Sequence, residues 1–223
     1  SDGREHAAWK TVSDATYVFL DNEELFMKIA NDKANQAAVV EDEPREAFIN
    51  SLRISEGERY YFRDVNNEAN RYKMTVKSQH HYSSAHLFQL ANEIMIEKLL
   101  TLKNHFINLV KGGSTSIIFE ATDVENQYIV KLCGQNDTIG NVLQSHIVNH
   151  YTQEDSLIGV CGYKKSHPLE EYINLYIGFN PNNDVFKQTE EFKLNSLVKF
   201  MDGVLEDLMG IYREILNEAK KTL

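Results

Sequence analysis

The chain has 223 residues, and its 33 acidic and 23 basic side chains give a formal net charge of −10. This balance argues against a protein that binds nucleic acid over its whole surface, because such binding depends on Lys and Arg. Hydrophobic residues make up 42% of the chain and charged residues 25%, so the composition predicts a folded protein with a sizeable core.

Two strands are predicted in the first half of the chain. Residues 10–20 end in a β-prone run, and residues 71–77 alternate side-chain types as a half-buried strand does. Residues 21–70 between them are polar, with short helical patterns near 24–30 and 45–52. We interpret this polar segment as an elaborated surface region.

A long helix and a second set of elements follow. Apolar residues recur every three to five positions over 83–110, with Ser83 or Ser84 available as N-cap, and Gly112-Gly113 ends the helix. After the glycines the pattern predicts strand, strand, helix, strand, strand and a final long helix. These elements are expected at 116–121, 127–132, 138–151, 157–163, 172–179 and 189–221.

The final helix carries an unusually long apolar stripe. At about 1.5 Å per residue it extends roughly 45 Å, which is more than one small sheet needs, so part of it is expected to face another helix or subunit. Small residues, among them Gly203 and Gly210, recur every seven positions on the opposite side. They are either simply exposed or a place where another backbone approaches closely.

The cysteines and the hydropathy indicate the cellular setting. Two cysteines, Cys133 and Cys161, are too few for a disulfide framework, and their spacing is not that of zinc ligands. No stretch of the sequence approaches the roughly 18 consecutive apolar residues of a membrane span. The sequence therefore predicts a soluble intracellular protein without membrane contact. Because residue 1 is Ser rather than Met, we expect the chain to be part of a longer one.

Catalytic motifs are incomplete. Gly112-Gly113 followed by Lys131 is superficially like a kinase loop and strand lysine, but no catalytic-loop Asp or metal-binding Asp-Phe-Gly follows. His146 and His150 have the spacing of two zinc ligands on a helix, without the Glu of the zincin pattern.

A thiol triad is the other catalytic candidate, formed by Cys161, His167 and Glu170. These three residues lie within ten positions, whereas catalytic partners usually converge from separate elements. We therefore expect no active site, no cofactor and no metal.

Two short motifs in the second half carry a family resemblance. The segment Asn136-Asp137-Thr138-Ile139-Gly140-Asn141 begins a predicted helix, and Gly162-Tyr163 with His167-Pro168 marks the exit from the next strand. Together they resemble the dimerisation domain shared by the bacterial RNA polymerase alpha subunit and the eleventh subunit of eukaryotic RNA polymerase II. Asn136-Asp137 stands where that family usually has an acidic residue and His. The resemblance covers 114–223.

The same residues make local physical sense. Asp137 or Thr138 is expected to cap the helix, and Gly140 to allow close packing in its first turn. Pro168 biases His167 toward extended geometry.

A second resemblance lies at the start of the chain. Gly3-Arg4-Glu5-His6-Ala7-Ala8-Trp9 is similar to a Gly-x-Glu-His-Ala-x-Trp segment of the third-largest polymerase II subunit. Only the C-terminal part of that subunit is matched. One chain that runs from this subunit into the eleventh looks like the fused version used by large DNA viruses that transcribe in the host cytoplasm.

The resemblances imply an α+β fold, with small antiparallel sheets packed against long helices, and two domains, 1–113 and 114–223. They imply a non-catalytic assembly subunit of a DNA-directed RNA polymerase, present in the host cytoplasm and the virion. Its partners would be the two largest subunits and small assembly subunits, with self-pairing of this part of the chain and no direct nucleic-acid contact. The alternative is a free-standing protein-interaction module with a regulatory role in the host.

Two sets of residues are expected to make these contacts. The dimer or assembly interface is predicted at Asn136, Asp137, Thr138, Ile139, Gly140, Asn141, Tyr163, His167, Pro168, Leu197, Met201, Val204, Leu208, Ile211 and Ile215. Docking to the large subunits is predicted at Glu5, His6, Trp9, Gly203 and Gly210.

Overall fold

The chain has an α+β architecture, as predicted. The computed structural model describes residues 6, 9–39, 42–65, 67–79, 81–112, 116–167 and 169–222. These residues form five α-helices and two antiparallel sheets. Within the same described part of the chain, every helix is too short or too polar to cross a membrane.

Two compact units make up the chain, Ser1–Leu87 and Phe88–Leu223. This boundary in packing falls within a long helix, whereas the predicted boundary at Gly113 lies outside the described residues. The predicted boundary marks where one sequence resemblance gives way to another, which packing does not test, so it stays a prediction.

The first unit contains both strands predicted in the first half of the chain. Strands β1 (Val12–Phe19) and β2 (Tyr72–Ser78) pair antiparallel, with Tyr17 opposite Met74 and Phe19 opposite Tyr72. Because side chains alternate along a strand, these residues share one face of the two-stranded sheet.

The polar region between these strands is a helix pair. Helix α1 (Glu23–Gln36) and helix α2 (Asp42–Glu56) are both longer than the short patterns in the sequence suggested. The Asn22 side chain accepts a hydrogen bond from the Leu25 backbone N–H and so caps α1. Arg53 of α2 donates two hydrogen bonds to the Glu23 carboxylate, at 2.8 and 2.5 Å. This ion pair supplements an apolar face of α1, where Phe26, Ala30 and Ala34 are buried.

The second unit is built on a four-stranded sheet. Its elements are β3 (Ile117–Ala121), β4 (Gln127–Cys133), α4 (Asp137–Tyr151), β5 (Ile158–Lys164) and β6 (Tyr172–Phe179), followed by α5 (Glu190–Thr222). The strands are antiparallel in the order β3-β4-β6-β5. The predicted hairpin is present, and its turn places Asn126 at a φ of 59°.

Helix α3 (Ser84–Val110) runs antiparallel to α5 over its second-unit part. Near the end of α3, the Lys103 ammonium group lies 3.1 Å from an Asp202 carboxylate oxygen and 2.9 Å from one of Glu206. Nearer its start, Glu93 pairs with Lys220 at 3.7 Å. The long stripe of α5 therefore faces a second helix of its own chain, as its length led us to expect.

One hydrophobic core fills the second unit between the helices and one face of the sheet. Its fully buried members include Leu99 and Phe106 of α3, Leu143 of α4 and Met201 of α5, together with Leu175 of β6. The inward positions alternate with less buried ones along β4 and over residues 172–177 of β6. The helices thus cover a single face of the sheet.

Replacing Phe106 with Ala should lower the free energy of unfolding by about 3–5 kcal/mol, because the ring is fully buried and would leave a cavity. Phe192→Ala is the matched control, since that ring is 50% exposed, and should change stability by no more than about 0.5 kcal/mol. Denaturant unfolding followed by circular dichroism measures both. Equal effects would contradict the proposed core.

Candidate functional site

The two motifs that carry the polymerase resemblance meet in space. Gly140, in the first turn of α4, is buried against the ring of Tyr163 on β5. A Cβ atom built at Gly140 would lie 2.5 Å from Tyr163 Cδ2, closer than real contacts allow. The close packing expected at Gly140 is therefore present, and Tyr163 is its partner.

Gln144, one turn further along α4, strengthens the same junction. Its side-chain oxygen accepts a hydrogen bond from the Tyr163 backbone N–H at 2.9 Å. Strand β5 is an edge of the sheet, so this bond satisfies a donor that no neighbouring strand could reach. Gln144 was not among the predicted site residues, because a single Gln on a helix has no distinguishing pattern.

The start of α4 differs from the expectation that Asp137 or Thr138 caps it. Both residues lie within the helix and are exposed, while the N-cap position is occupied by Asn136. Asn136 makes no side-chain capping bond, and its buried Oδ1 has no hydrogen-bond partner among the described residues. The predicted cap is therefore wrong by one or two positions, since capping residues precede the first helical turn.

The other motif residues are divided between core and surface. Ile139 is buried in the core, and Asn141 is exposed. His167 is exposed in the turn after β5, where its Nδ1 accepts from the Leu169 backbone N–H at 3.1 Å. Pro168 lies outside the described residues.

The predicted interface on α5 is mostly internal. Four of its residues are no more than 4% exposed and belong to the core of the second unit: Leu197, Met201, Val204 and Leu208. Only Ile211, at 43%, and Ile215, at 39%, retain substantial exposed surface. The first four are therefore core residues of the second unit, packed together with α3, and their part in an assembly interface stays a prediction. Self-pairing through the α5 stripe stays a prediction that depends on the two isoleucines.

The small residues on the far side of α5 face open space. A Cβ atom at Gly203 or Gly210 would meet no atom within 4 Å. No described residue therefore requires glycine at either position, and both stay docking candidates.

At the N-terminus, Trp9 is 48% exposed and its backbone N–H donates to the His6 carbonyl at 3.1 Å. The two rings lie 5.7 Å apart, centroid to centroid. Glu5, the third docking candidate in this segment, lies outside the described residues.

The local chemistry does not favour the thiol or the kinase interpretation. Burial raises the pKa of Cys161 to about 12, which makes its thiol a poor nucleophile near neutral pH. The Lys131 ammonium group lies over the Tyr172 ring, 4.9 Å from its centroid.

A groove between α4 and α5 contains the histidine pair. It has a volume of about 540 Å³ and is lined by His146, His150, Tyr151, Glu206, Asp207, Gly210, Ile211 and Glu214. The two imidazole centroids are 4.8 Å apart, and Tyr151 donates a hydrogen bond to Asp207. Among the described residues, no group of three or more His, Cys, Asp or Glu side chains is arranged to hold a metal ion. The zinc interpretation therefore has no geometric support in this part of the chain.

No protein-family model matches the sequence, and no curated protein is significantly similar to it. The case for any family therefore depends on the two motifs and on the architecture around them.

The Gly140–Tyr163 contact can be tested by a double-mutant cycle. Gly140→Ala should destabilise the protein by about 1–3 kcal/mol, because the added methyl group would overlap the Tyr163 ring. In a Tyr163→Ala background the same change should be neutral or stabilising by up to about 1 kcal/mol, since Ala favours helix over Gly. Gly203→Ala is the control and should also stabilise. Denaturant unfolding measures all four variants, and additive effects would contradict the contact.

The groove also predicts a pH dependence of stability. Burial, with repulsion from His150, lowers the pKa of His146 below its ordinary value, although Asp207 acts in the opposite direction. A depressed folded-state pKa means that stability is fully present above the unfolded value of about 6.5 and is lost as the pH falls through the folded pKa. Thermal unfolding of His146→Gln should therefore show less loss of stability below neutral pH than the parent. His81→Gln, at an exposed position, should follow the parent curve.

Proposed function

We propose that the chain is a non-catalytic assembly subunit of a multisubunit DNA-directed RNA polymerase, a fused counterpart of the third-largest and eleventh subunits. The observation that carries this proposal is the contact between Gly140 and Tyr163. Two motif residues from separate elements that pack against each other have a physical reason to occur in the same sequence. If the similarity of the two motifs were due to chance, such a contact between them would not be expected.

The arrangement of the second unit supports the same proposal. Its order of two strands, a helix, two strands and a long helix is the one predicted from the sequence, within the range that resembles the alpha-type dimerisation domain. Helix α3, which the resemblance assigns to the end of the third-largest-subunit part, lies antiparallel to the long helix α5. On this proposal, α3 and α5 make within one chain a pairing that two separate subunits would otherwise make.

An assembly role also suits the surface. The second half of the sequence is the more acidic, since residues 112–223 hold 16 acidic and 9 basic side chains. A polymerase part of this charge would contact protein rather than DNA. Its proposed partners are the two largest subunits and small assembly subunits, in the host cytoplasm and the virion.

A free-standing interaction module is the second candidate, and one observation in the first unit favours it. Tyr17, Tyr72 and Met74 are 63%, 52% and 65% exposed on one face of the two-stranded sheet, beside Phe19. Aromatic residues on a sheet face are typical of protein interfaces in general. They need no polymerase as partner.

Co-purification tests the proposed function. A tagged full chain expressed in its native host cell should bring down the two largest polymerase subunits. Gly203→Asp combined with Gly210→Asp should reduce their recovery by about tenfold or more, because these are docking candidates with open space around them and a charge would be buried in the contact.

Ile54→Asp is the control, since Ile54 is 90% exposed on α2 and belongs to no predicted interface. Reproducible absence of both large subunits from the purified material would refute the polymerase proposal. Recovery of another protein that is lost on Tyr17→Ser with Tyr72→Ser would favour the interaction module.

A further inference from the structure

The two edge strands of the four-stranded sheet, β3 and β5, differ in how their outward-pointing backbone groups are satisfied. At the β5 edge, Gln144 bonds the Tyr163 backbone N–H, and the ladder is irregular between Ile158 and Val160. Side-chain capping and bulges are devices that prevent further strand pairing. At the β3 edge, no described residue forms a hydrogen bond with an outward-pointing backbone group.

The register identifies which groups of β3 point outward. Cys133 donates to the Ser116 carbonyl at 2.9 Å, and Thr122 donates to the Gln127 carbonyl at 3.0 Å. In an antiparallel pair, every second residue bonds the neighbouring strand and those between point away from it. Residues 116, 118, 120 and 122 therefore bond β4. The backbone N–H and C=O groups of residues 117, 119 and 121 face outward.

The side chains along this edge are compatible with a further strand. Ile118 is 40% exposed on the face of the sheet that the helices leave uncovered, and Glu120 lies on the same face. Lys131 is the cation opposite Ile118, and its ammonium group is engaged with the Tyr172 ring. The strand contains no Pro, and no Lys points from β3 itself toward an approaching strand.

The acidic residues beside the β3 edge indicate which kind of segment could bind there. Glu120 is the charged residue of β3, and Asp123 and Glu125 follow in the adjoining turn. A second copy of the chain would bring its own acidic hairpin and a net charge of −10 to the same edge. An extended segment that carries Lys or Arg would instead meet an opposite charge.

We propose that the free edge of β3 binds an extended, basic segment of a partner protein as a fifth strand of the sheet. The outward groups of residues 117, 119 and 121 would supply the main-chain hydrogen bonds, and Glu120 would pair with a basic side chain. This is strand addition, in which the backbone provides affinity and the alternating side chains provide specificity. It does not depend on the polymerase assignment.

Amide hydrogen exchange of the full chain, measured with a defined probe, tests this inference. The probe is a capped seven-residue peptide of alternating Lys and Val, added at millimolar concentration. Exchange at the N–H groups of residues 117, 119 and 121 should slow by about tenfold or more, while residues 118 and 120 are already protected by β4. A peptide with Glu in place of each Lys should give no protection.

Two variants make the result specific. Ala121→Pro removes an N–H that β4 does not use, so it should abolish protection at residues 117 and 119 without unfolding the sheet. Glu120→Lys should reverse the preference, so that the Glu-containing peptide protects the edge and the Lys-containing peptide does not. This charge exchange decides the question even if the Pro variant fails to fold.

Three outcomes would overturn the proposal. The first is no protection of the β3 edge by the Lys peptide. The second is protection that maps to β5 or to the first unit instead. The third is protection in the absence of peptide that rises with the concentration of the chain itself, which would identify a second copy as the occupant.

Discussion

Burial of a single face of the four-stranded sheet is the constraint on which the second unit depends. Side chains alternate along each strand, so β4 and β6 can present an unbroken apolar surface to one side only. Helices α3, α4 and α5 all pack on that side. The length of α5 follows from this arrangement. Its start contacts the sheet, where Glu190 accepts a hydrogen bond from Tyr128, and its end reaches Glu93 of α3.

The same constraint determines which surfaces remain for partners. Because the helices cover one face, the other face and the β3 edge are not covered by the described residues of the second unit, and the helices offer only their outer sides. Ile211 and Ile215 lie at the margin of the α5 stripe, where neither the sheet nor α3 covers them fully. Several separate surfaces are thus left for contacts, as the proposed assembly role requires.

Much of the element order could be predicted from local pattern. Strand β6 was expected at 172–179 and occupies those residues, and the helix expected over 83–110 begins at Ser84 with Ser83 as its cap. The prediction was less successful for α1 and α2, which extend beyond the short helical patterns of the sequence. Helices α1 and α2 are joined by bonds such as Arg53 to Glu23, and such pairs leave no repeat in the sequence.

The sequence by itself determined the strands and helices of the second unit, because each has a local periodic signal, and its resemblance motifs gave the α+β class and Gly140 as a packing position. Only the tertiary structure decided which apolar residues are core and which are surface. Leu208 and Ile211 belong to the same stripe, yet α3 and the sheet bury one and leave the other 43% exposed. It also decided that β3 is the open edge, since Gln144 closes the other edge from a different element. Residues distant in sequence create these distinctions, and a local pattern contains no information about them.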